Sequence, residues 1–484
     1  MKEIVIDPIT RLEGHGKITI FLDDKGNVEN AYLQVPELRG FEKFCEGRRA
    51  EDLPIITTRI CGVCPVAHHM ASAKAVDAAF QTEPTETAKK LRELEYCGYI
   101  ISDHILHFYF LGGPDFIVGP NAPPAKRNIL GVIEKVGLEV GREVIKHRAY
   151  GQKITGILGG KPTHPVSALP GGISKSLLKE DQQEIERMLR SCLDFVKFTL
   201  RLFGDIVLKN TDYVELIKSE AYTLKTYYMG TVDKNNKLNF YDGKIRVVDP
   251  EGKEFAKFAP SEYLEVIEEH VEPWTYVKMP YLKKIGWKNL TDGKESGIYR
   301  VGPLARLNVA DGMATPLAQQ EYERMNSTLG GKPVHSTLAF HWARLIELMY
   351  AAERGLELVT DPKITRKDIR SKLGKPGEGI GVVEAARGTL IHHYVLDEKA
   401  LAKKVNLIVA TTHNTPSICM SIKNAAKGFI HKGKVNDGLL NMVEMAFRAY
   451  DPCFACATHY ALGEMPLGVE IYDNEKRLLK KIHR

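Results

Sequence analysis

The sequence lacks the features of a membrane protein, of a secreted protein and of a nucleic-acid-binding protein. No stretch reaches the roughly 18 uncharged apolar residues that a membrane-spanning helix needs, and charges interrupt residues 1–7, where a signal peptide has an apolar run. Lysine and arginine (67) nearly balance aspartate and glutamate (61), with a basic block only at the C-terminus. We therefore expect a soluble, cytoplasmic protein with no direct membrane span and no nucleic-acid partner.

Cysteine is also scarce, and its placement excludes a disulfide framework. Eight cysteines occur in 484 residues, and half of them lie in two C-x-x-C pairs. We expect the others to be small buried hydrophobic residues. They are far apart in the sequence and do not predict an iron–sulfur cluster: Cys45, Cys97, Cys192 and Cys419.

Hydrophobic periodicity predicts strands in some segments and long helices in others. Residues 1 to about 35 alternate apolar and polar side chains between turns, which is typical of a small antiparallel sheet. Residues 220–300 contain short strand-like runs rich in Tyr, Val and Gly. A helical pattern begins at Pro65 and recurs in four further segments, at about 86–111, 179–209, 335–354 and 438–450.

The length and composition predict a large globular body, since 44% of the residues are hydrophobic and 26% are charged. We predict an α+β fold, a helix-rich multilobed body with a long-helix bundle core and a small N-terminal antiparallel sheet. We expect residues 1–484 to form one multilobed domain. Its predicted parts are an N-terminal sheet (1–60), a helical core (61–215), a β-containing lobe (216–330), a helical core with the C-terminal metal motif (331–459) and a tail (460–484).

The two C-x-x-C pairs stand near opposite ends of the chain, each with a histidine close behind. They are Cys61–Cys64 and Cys453–Cys456. Four thiolates suit soft or borderline metals such as zinc, nickel and iron. A structural zinc site is the usual interpretation, but zinc modules close short loops that lack a core of their own. A site that joins the two ends of a chain with a large core is more typical of a buried reaction centre.

A glycine-rich segment, Gly377–Gly388, could suggest a nucleotide-binding loop. It lacks both the G-x-G-x-x-G spacing and a K-[ST] pair, and its glycines lead into β-branched residues instead of opening a helix. We therefore reject phosphate binding here. Arg387 is instead predicted to lie on a turn beside a strand.

Several motifs, in a fixed order, carry a resemblance to a known family. They are Thr10–His15 (TRLEGH), Arg59–His68 (R-x-C-G-x-C-P-x-x-H), Asp103–Tyr109 (DHILHFY), Gly159–Lys161, Pro170–Gly172, Gly302–Arg306 (GPLAR) and Asp451–His459 (D-P-C-x-x-C-x-x-H). Over its whole length the chain resembles the large, catalytic subunit of nickel-iron hydrogenases. Among the subfamilies, it is most similar to the methyl-viologen-reducing (deazaflavin-non-reducing) hydrogenases of methanogens. Two segments carry this similarity: the glycine-rich residues that precede Arg387, and the residues Ala457–His459 that end the last motif.

The resemblance implies a nickel-iron centre and a reaction. Nickel would be held by Cys61, Cys64, Cys453 and Cys456, and the second cysteine of each pair would also bridge to an iron that carries carbon monoxide and cyanide. The implied reaction is the reversible heterolytic cleavage of dihydrogen to protons and electrons. The thiolate of Cys453 would take the proton, and Glu13 would pass it on.

The resemblance also assigns residues around this centre. Arg387, Asp103 and Asp451 would form a charged canopy over the metals, where a fixed cation can polarise bound hydrogen. Thr411 would donate a hydrogen bond to an iron-bound cyanide.

A second cation, magnesium or iron, is implied near the C-terminal end. Its ligands would be Glu42, His459 and a backbone carbonyl from residues 406–409, a set of oxygen and nitrogen donors that suits such an ion. The resemblance further implies maturation factors and a C-terminal endopeptidase. This enzyme would cut after His459 once nickel is in place and so remove the tail, residues 460–484.

Electrons would leave through a small subunit with iron–sulfur clusters. In the resembling complexes they continue to a further iron–sulfur subunit, then to heterodisulfide reductase.

Two other interpretations remain open. One is a metal-free relative that serves as a scaffold or quinone pocket, although such relatives have lost the four cysteines. The other is a structural-zinc protein, which metal analysis would distinguish.

Overall fold

A computed structural model describes residues 2–459, 468–472 and 477–483, and it confirms the predicted α+β class. The helices are α1 (Phe41–Cys45), α2 (Leu53–Ile56), α3 (Pro65–Ala79), α4 (Glu86–Leu106), α5 (Pro114–Ile117), α6 (Ile129–Val136), α7 (Leu138–Gly159), α8 (Lys179–Phe203), α9 (Thr211–Lys218), α10 (Tyr263–Val266), α11 (Pro303–Val309), α12 (Pro316–Leu329), α13 (Phe340–Thr360), α14 (Ala410–Phe429), α15 (Asp437–Arg448) and α16 (Phe454–Ala457).

The strands are short and belong to several small sheets. They are β1 (Lys2–Ile6), β2 (Lys17–Leu22), β3 (Val28–Gln34), β4 (Ala168–Leu169), β5 (Gly172–Ile173), β6 (Tyr227–Val232), β7 (Lys244–Val248), β8 (Glu254–Phe258), β9 (Ile267–His270), β10 (Met279–Leu282), β11 (Tyr299–Arg300), β12 (Glu378–Ala385), β13 (Gly388–Leu396), β14 (Ala402–Ile408), β15 (Gly468–Tyr472) and β16 (Leu478–His483).

The predicted N-terminal sheet and the helical bundle are both present. Strands β1, β2 and β3 pair antiparallel in sequence order. The long helices α4, α7, α8 and α13 pack against one another and form the main core. The bundle is the scaffold from which α4 presents Asp103. Among the helices of the described residues, none has the length and apolarity to cross a membrane.

The glycine-rich segment serves a close approach between backbones. It forms β12, the outer strand of the antiparallel sheet β12-β13-β14, and β12 packs directly on α3. A Cβ atom at Gly379 would lie 2.2 Å from the carbonyl oxygen of Ala75, and one at Gly381 would lie 2.1 Å from that of Ala71. Glycine is therefore required at both positions of the strand, and the segment is a strand packed on a helix instead of a loop that opens one.

Some helix boundaries differ from the prediction. The segment predicted at about 86–111 is α-helical to Leu106 and then continues as a π-helix to Gly112. The helix predicted at about 335–354 begins later, at Phe340, after a 3-10 turn, and extends to Thr360, just before Asp361 and a proline. Within the tail, strand Gly468–Tyr472 pairs antiparallel with Leu478–His483.

Helix α14 was not predicted, because its first turns are poor in helix formers. They contain Thr411 and Pro416, residues that weaken a helix in isolation. Tertiary hydrogen bonds replace this missing propensity. Asn414 Nδ2 donates to the carbonyl of Val301 (3.2 Å), and Ser417 Oγ donates to that of Tyr299 (3.0 Å).

We predict that Glu95 makes stability depend on pH. It is fully buried on α4 and accepts a hydrogen bond from Ser167 (2.9 Å), and burial raises its pKa to about 8 from an ordinary 4.5. Between these values the native state holds the proton more tightly than the unfolded state, so the free energy of unfolding falls as pH rises. In Glu95→Gln this fall should be smaller.

The measurement is urea unfolding at several pH values between 4.5 and 8. Glu83→Gln, an exposed position that precedes the same helix, is the control and should keep the wild-type dependence. An unchanged pH dependence in Glu95→Gln would contradict the buried, protonated carboxyl.

Candidate metal centre

The two cysteine pairs meet in one buried cluster. The Sγ atoms of Cys61 and Cys453 are 3.5 Å apart, and those of Cys64 and Cys456 are 3.6 Å apart. All four sulfurs lie within 4.8 Å of one another, and each side chain is at most 4% exposed. Among the described residues, these are the ones that form a group of three or more His, Cys, Asp or Glu donors with the spacing to hold a metal. The geometry and the softness of the donors fit nickel, iron or zinc.

Local structure fixes each pair. Cys61 follows a 3-10 turn, and Cys64 caps α3, whose first residue is Pro65, as the sequence predicts. Cys453 caps the short helix α16, which carries Cys456. Both pairs are thus held where a turn of helix begins.

Hydrogen bonds from the neighbouring thiols, above all from Cys453 and Cys456, lower the pKa of Cys61 well below its ordinary value. Burial raises the pKa of Cys453 and Cys456. Bare thiols in this cluster therefore cannot all ionise, because several thiolates would repel one another in a medium of low dielectric. A bound cation is needed to hold four thiolates together.

Glu13 lies directly against this cluster. Its Oε2 is 2.9 Å from Cys453 Sγ, which donates the hydrogen bond. A parallel β-bridge joins the two residues, since the amide of Glu13 donates to Pro452 (3.3 Å) and that of Phe454 donates to Glu13 (2.9 Å). Burial, and then the charge of Cys61, raise the pKa of Glu13.

Glu13 also reaches the molecular surface. It lines an open cavity of about 570 Å³ together with Glu37, Arg39 and Arg59. The carboxyl group therefore stands between a buried sulfur and solvent, and the solvated turn that its sequence position alone would suggest is not what the structure contains.

The three canopy residues form one buried ion cluster. Arg387 is in the turn between β12 and β13, as predicted. Its guanidinium lies 3.1 Å from Asp103 and 3.0 Å from Asp451. Despite burial, these carboxylates raise the pKa of Arg387, which therefore stays cationic. Burial raises the pKa of Asp451 to about 7, against the opposing effect of Arg387.

Sequence reasoning missed Arg306, which holds the canopy turn. Its guanidinium donates to the carbonyls of Ala385 (2.7 Å) and Ala386 (3.3 Å), immediately before Arg387. Glu347 and Glu384 accept its remaining N–H groups. The sequence does contain a signal for this role. Arg306 is the last residue of the GPLAR motif and the one charged residue in an otherwise mostly apolar helix turn, which is typical of a buried charge with partners.

Thr411 contacts the C-terminal pair through the backbone. Its Oγ1 accepts a hydrogen bond from the amide of Cys453 (3.0 Å), which leaves the hydroxyl proton free to be donated elsewhere. The residue lies in the first turn of α14.

The residues predicted for a second cation are brought into one region. Glu42 Oε1 accepts a hydrogen bond from the amide of Leu407 (2.8 Å). The carboxyl group of Glu42, which belongs to α1, therefore contacts the predicted strand 406–409. The ring of His459 stacks edge-on against Phe41 at 5.4 Å. Burial raises the pKa of Glu42 to about 7 and lowers that of His459 well below normal. Within the described residues neither ring nitrogen of His459 has a hydrogen-bond partner, so the nitrogen that carries no hydrogen is available to bind a cation.

The remaining cysteines are buried and free, as predicted. Burial raises the thiol pKa to about 12 in Cys45, Cys192 and Cys419, and raises it in Cys97 as well. They behave as hydrophobic core residues. The predicted cleavage point after His459 adjoins residues 460–467, which lie outside the described residues.

A buried set of four sulfurs, with a carboxyl group on one sulfur and an arginine held between two aspartates, defines a metalloprotein with a soft-metal reaction centre. Residues 39–128 and 142–459 match the family described as nickel-dependent hydrogenase, and residues 3–38 match one described as HoxL-like. The chain belongs to the nickel-dependent hydrogenase family. It is accordingly an oxidoreductase that acts on dihydrogen, and its four sulfurs fit the nickel-iron centre of that family.

Its relatives include subunits of two F420-non-reducing hydrogenases. The protein of Archaeoglobus profundus, named as an iron-sulfur subunit of such an enzyme, is 50% identical over 100% of this chain and 99% of its own length. The protein of Methanothermobacter thermautotrophicus is 42% identical over 100% of both chains. Since F420 is a deazaflavin, these relatives confirm the predicted similarity to deazaflavin-non-reducing hydrogenases.

A solved NAD⁺-reducing [NiFe]-hydrogenase in its H₂-reduced state has the same fold. It superposes with a TM-score of 0.89 at 37% identity, over 95% of this chain and 100% of its own. A Ni-Fe-Se hydrogenase from Desulfovibrio vulgaris Hildenborough, at 24% identity and a TM-score of 0.76, shares the fold over 95% of this chain.

We predict that Cys64→Ser abolishes nickel retention. A hydroxyl replaces the thiolate while the side-chain volume barely changes, so the effect reports ligand chemistry. The measurement is the nickel content of the purified protein. Cys97→Ser is the control, since Cys97 is a buried free cysteine (2% exposed) away from the cluster, and it should keep wild-type nickel. Equal nickel in Cys64→Ser and wild type would contradict the four-sulfur site.

Proposed function

We propose that the chain cleaves dihydrogen heterolytically and reversibly at the four-cysteine site and passes the electrons to a separate iron–sulfur small subunit. The observation that carries this proposal is the contact between Cys453 Sγ and Glu13, a sulfur of the cluster bonded to a carboxyl group that reaches the surface. The arrangement provides a buried metal site and, through Glu13, a path for protons from that site to the surface.

In this proposal Cys61 and Cys453 would hold nickel, and Cys64 and Cys456 would hold both nickel and an iron that carries carbon monoxide and cyanide. When bound, the nickel-iron centre polarises dihydrogen and takes up its electrons. Thr411, whose hydroxyl proton is not used by Cys453, donates a hydrogen bond to a cyanide of the iron.

The protein itself supplies the proton path. Cys453 is the nearest base, and its sulfur hands the proton to Glu13 across the 2.9 Å contact. Glu13 then releases it to the water-filled opening that it shares with Glu37. Burial raises the pKa of Glu13, so its carboxylate is a stronger proton acceptor than that of an ordinary glutamate.

The canopy supplies fixed positive charge. One terminal nitrogen of Arg387 pairs with Asp103 and the other pairs with Asp451, which fixes the position of the guanidinium. The cation therefore needs no reorganisation when charge develops at the metal site during the reaction. Arg306 is a positioning residue for this group, because it holds the two carbonyls that precede Arg387.

We propose magnesium or iron as the second cation, bound by Glu42, His459 and a carbonyl of residues 406–409. The support is the contact of Glu42 with Leu407 and the ring nitrogens of His459, which have no hydrogen-bond partner in the part of the chain that the structure describes. A cation here would tie the C-terminal segment to α1 after maturation factors insert nickel and an endopeptidase removes residues 460–484.

The electron path requires another chain. The four cysteines outside the cluster are buried singly, so they do not supply an iron–sulfur cluster. The relatives are named as single subunits of hydrogenases, which supports the small subunit in the role of first acceptor. We propose that the onward acceptors are heterodisulfide reductase and, before it, a further iron–sulfur subunit, in a pathway of methanogenesis type.

We predict that Glu13→Gln keeps nickel and iron but greatly slows proton exchange with solvent. The amide preserves the shape and the contact to Cys453, yet it cannot carry a proton, and one positioned acid–base group typically contributes about 10²–10⁴ in rate. The measurement is formation of HD and H₂ from D₂ in water by the purified holoenzyme, with metal content measured in parallel.

Glu37→Gln is the matched control, because Glu37 lines the same opening and pairs with His15 instead of a cysteine. It should exchange at nearly the wild-type rate. Wild-type exchange in Glu13→Gln would remove Glu13 from the mechanism.

A further inference from the structure

A small cavity adjoins the canopy and is not used by the mechanism above. Its volume is about 60 Å³, and it lies between α4, α7 and the loop of the first cysteine pair. Asp103 lines its buried end, and Arg148 and Gln152, both half-exposed, line its outer part. A water molecule needs about 10–15 Å³ of such space, so the cavity has room for about four.

Two polar atoms at this cavity lack partners. Asp103 Oδ2 accepts a hydrogen bond from Arg387 (3.1 Å), but its Oδ1 has no partner in the part of the chain that the structure describes, although the residue is only 3% exposed. Arg148 Nε is likewise buried and without a partner among these residues. Buried polar atoms in folded proteins are nearly always hydrogen-bonded, to water where no protein group is available.

The wall between these two atoms can also bind water. Ser102 and Thr155, which both carry hydroxyl groups, line the cavity. Thr155 Oγ1 donates to the carbonyl of Gly151 (3.2 Å), so its oxygen remains free to accept from a water molecule. Exposed Pro162 and Thr163 also line the cavity, so it extends from the buried carboxylate of Asp103 to the surface.

We propose that water in this cavity hydrogen-bonds to Asp103 and relays protons between the canopy and solvent, as a second route beside Glu13. The proposal rests on the proposed hydrogenase function, in which each dihydrogen yields two protons and two electrons. Only protons move along this route. Asp103 Oδ1 takes up a proton released in the site, passes it to the first water and returns to carboxylate, and the proton leaves as hydronium while the electrons go to the small subunit.

The test uses Ser102→Ala/Thr155→Val in the holoenzyme, a pair that removes two hydroxyls and keeps the shape of the wall. The matched control is Ser327→Ala/Thr360→Val, two exposed helix residues whose hydroxyls donate to carbonyls one turn earlier, like that of Thr155. Exchange of D₂ with water is measured in wild type, in both double variants and in each combined with Glu13→Gln.

A working relay predicts a several-fold higher HD to H₂ ratio for the cavity variant, because solvent protons then reach the site more slowly. When the cavity substitutions are added to Glu13→Gln, the rate of D₂ exchange should fall by about tenfold or more below that of Glu13→Gln alone. A loss of this size is typical when one positioned proton carrier is removed. The KM for dihydrogen should not change, and the control should match its parent. Unchanged exchange with a changed KM would overturn the relay and make the cavity an entry for gas.

A high-resolution crystal structure gives an independent answer. Ordered waters bonded to Asp103 Oδ1 are expected in wild type and should be fewer in the cavity variant, whereas a dry cavity in wild type would overturn the proposal. If the wild-type holoenzyme consumes no D₂ at all, the hydrogenase function itself is wrong and the relay with it.

Discussion

The contact between the two ends of the chain is the constraint on which the rest of the structure depends. Glu13 forms a β-bridge with Cys453, and the sulfurs of Cys61 and Cys453 lie 3.5 Å apart across nearly the whole sequence. This contact buries four thiols at one point, where they cannot all ionise without a cation. The fold therefore builds a site that is complete only when a soft metal is present, and metal binding stabilises the closed arrangement of both ends.

Charge near the cluster is arranged so that each buried ion has a partner. Arg387 is held between Asp103 and Asp451, and Arg306 with Glu347 and Glu384 supports the turn on which Arg387 stands. A buried guanidinium without a counterion would be costly, and the paired carboxylates offset part of that cost. The same network leaves one carboxylate oxygen of Asp103 unpaired towards a small cavity, which is why that cavity is the natural place for water.

The sequence predicted the structure best where the chemistry of a site, or the repeat of a helix or strand, requires a fixed spacing between residues. Two C-x-x-C pairs could be read as one metal site, and the helix after Pro65 and the N-terminal sheet followed from periodicity. Contacts between distant segments could not be read in the same way. Helix α14 contains Pro416 and depends on hydrogen bonds to residues of β11 and its surroundings, and the role of Arg306 depends on carbonyls nearly eighty positions away. The hydrogen bond between Glu42 of α1 and Leu407 of β14 likewise joins distant segments and cannot be predicted from a local pattern.

The central claim is that the four cysteines hold one nickel-iron centre. The most direct test is metal analysis of the protein from its native host, combined with nickel X-ray absorption and infrared spectroscopy. The account predicts nickel with a first shell of sulfur, iron beside it, and absorption bands of carbon monoxide and cyanide. Zinc as the only metal at the cysteines, or nickel bound through nitrogen and oxygen, would contradict it.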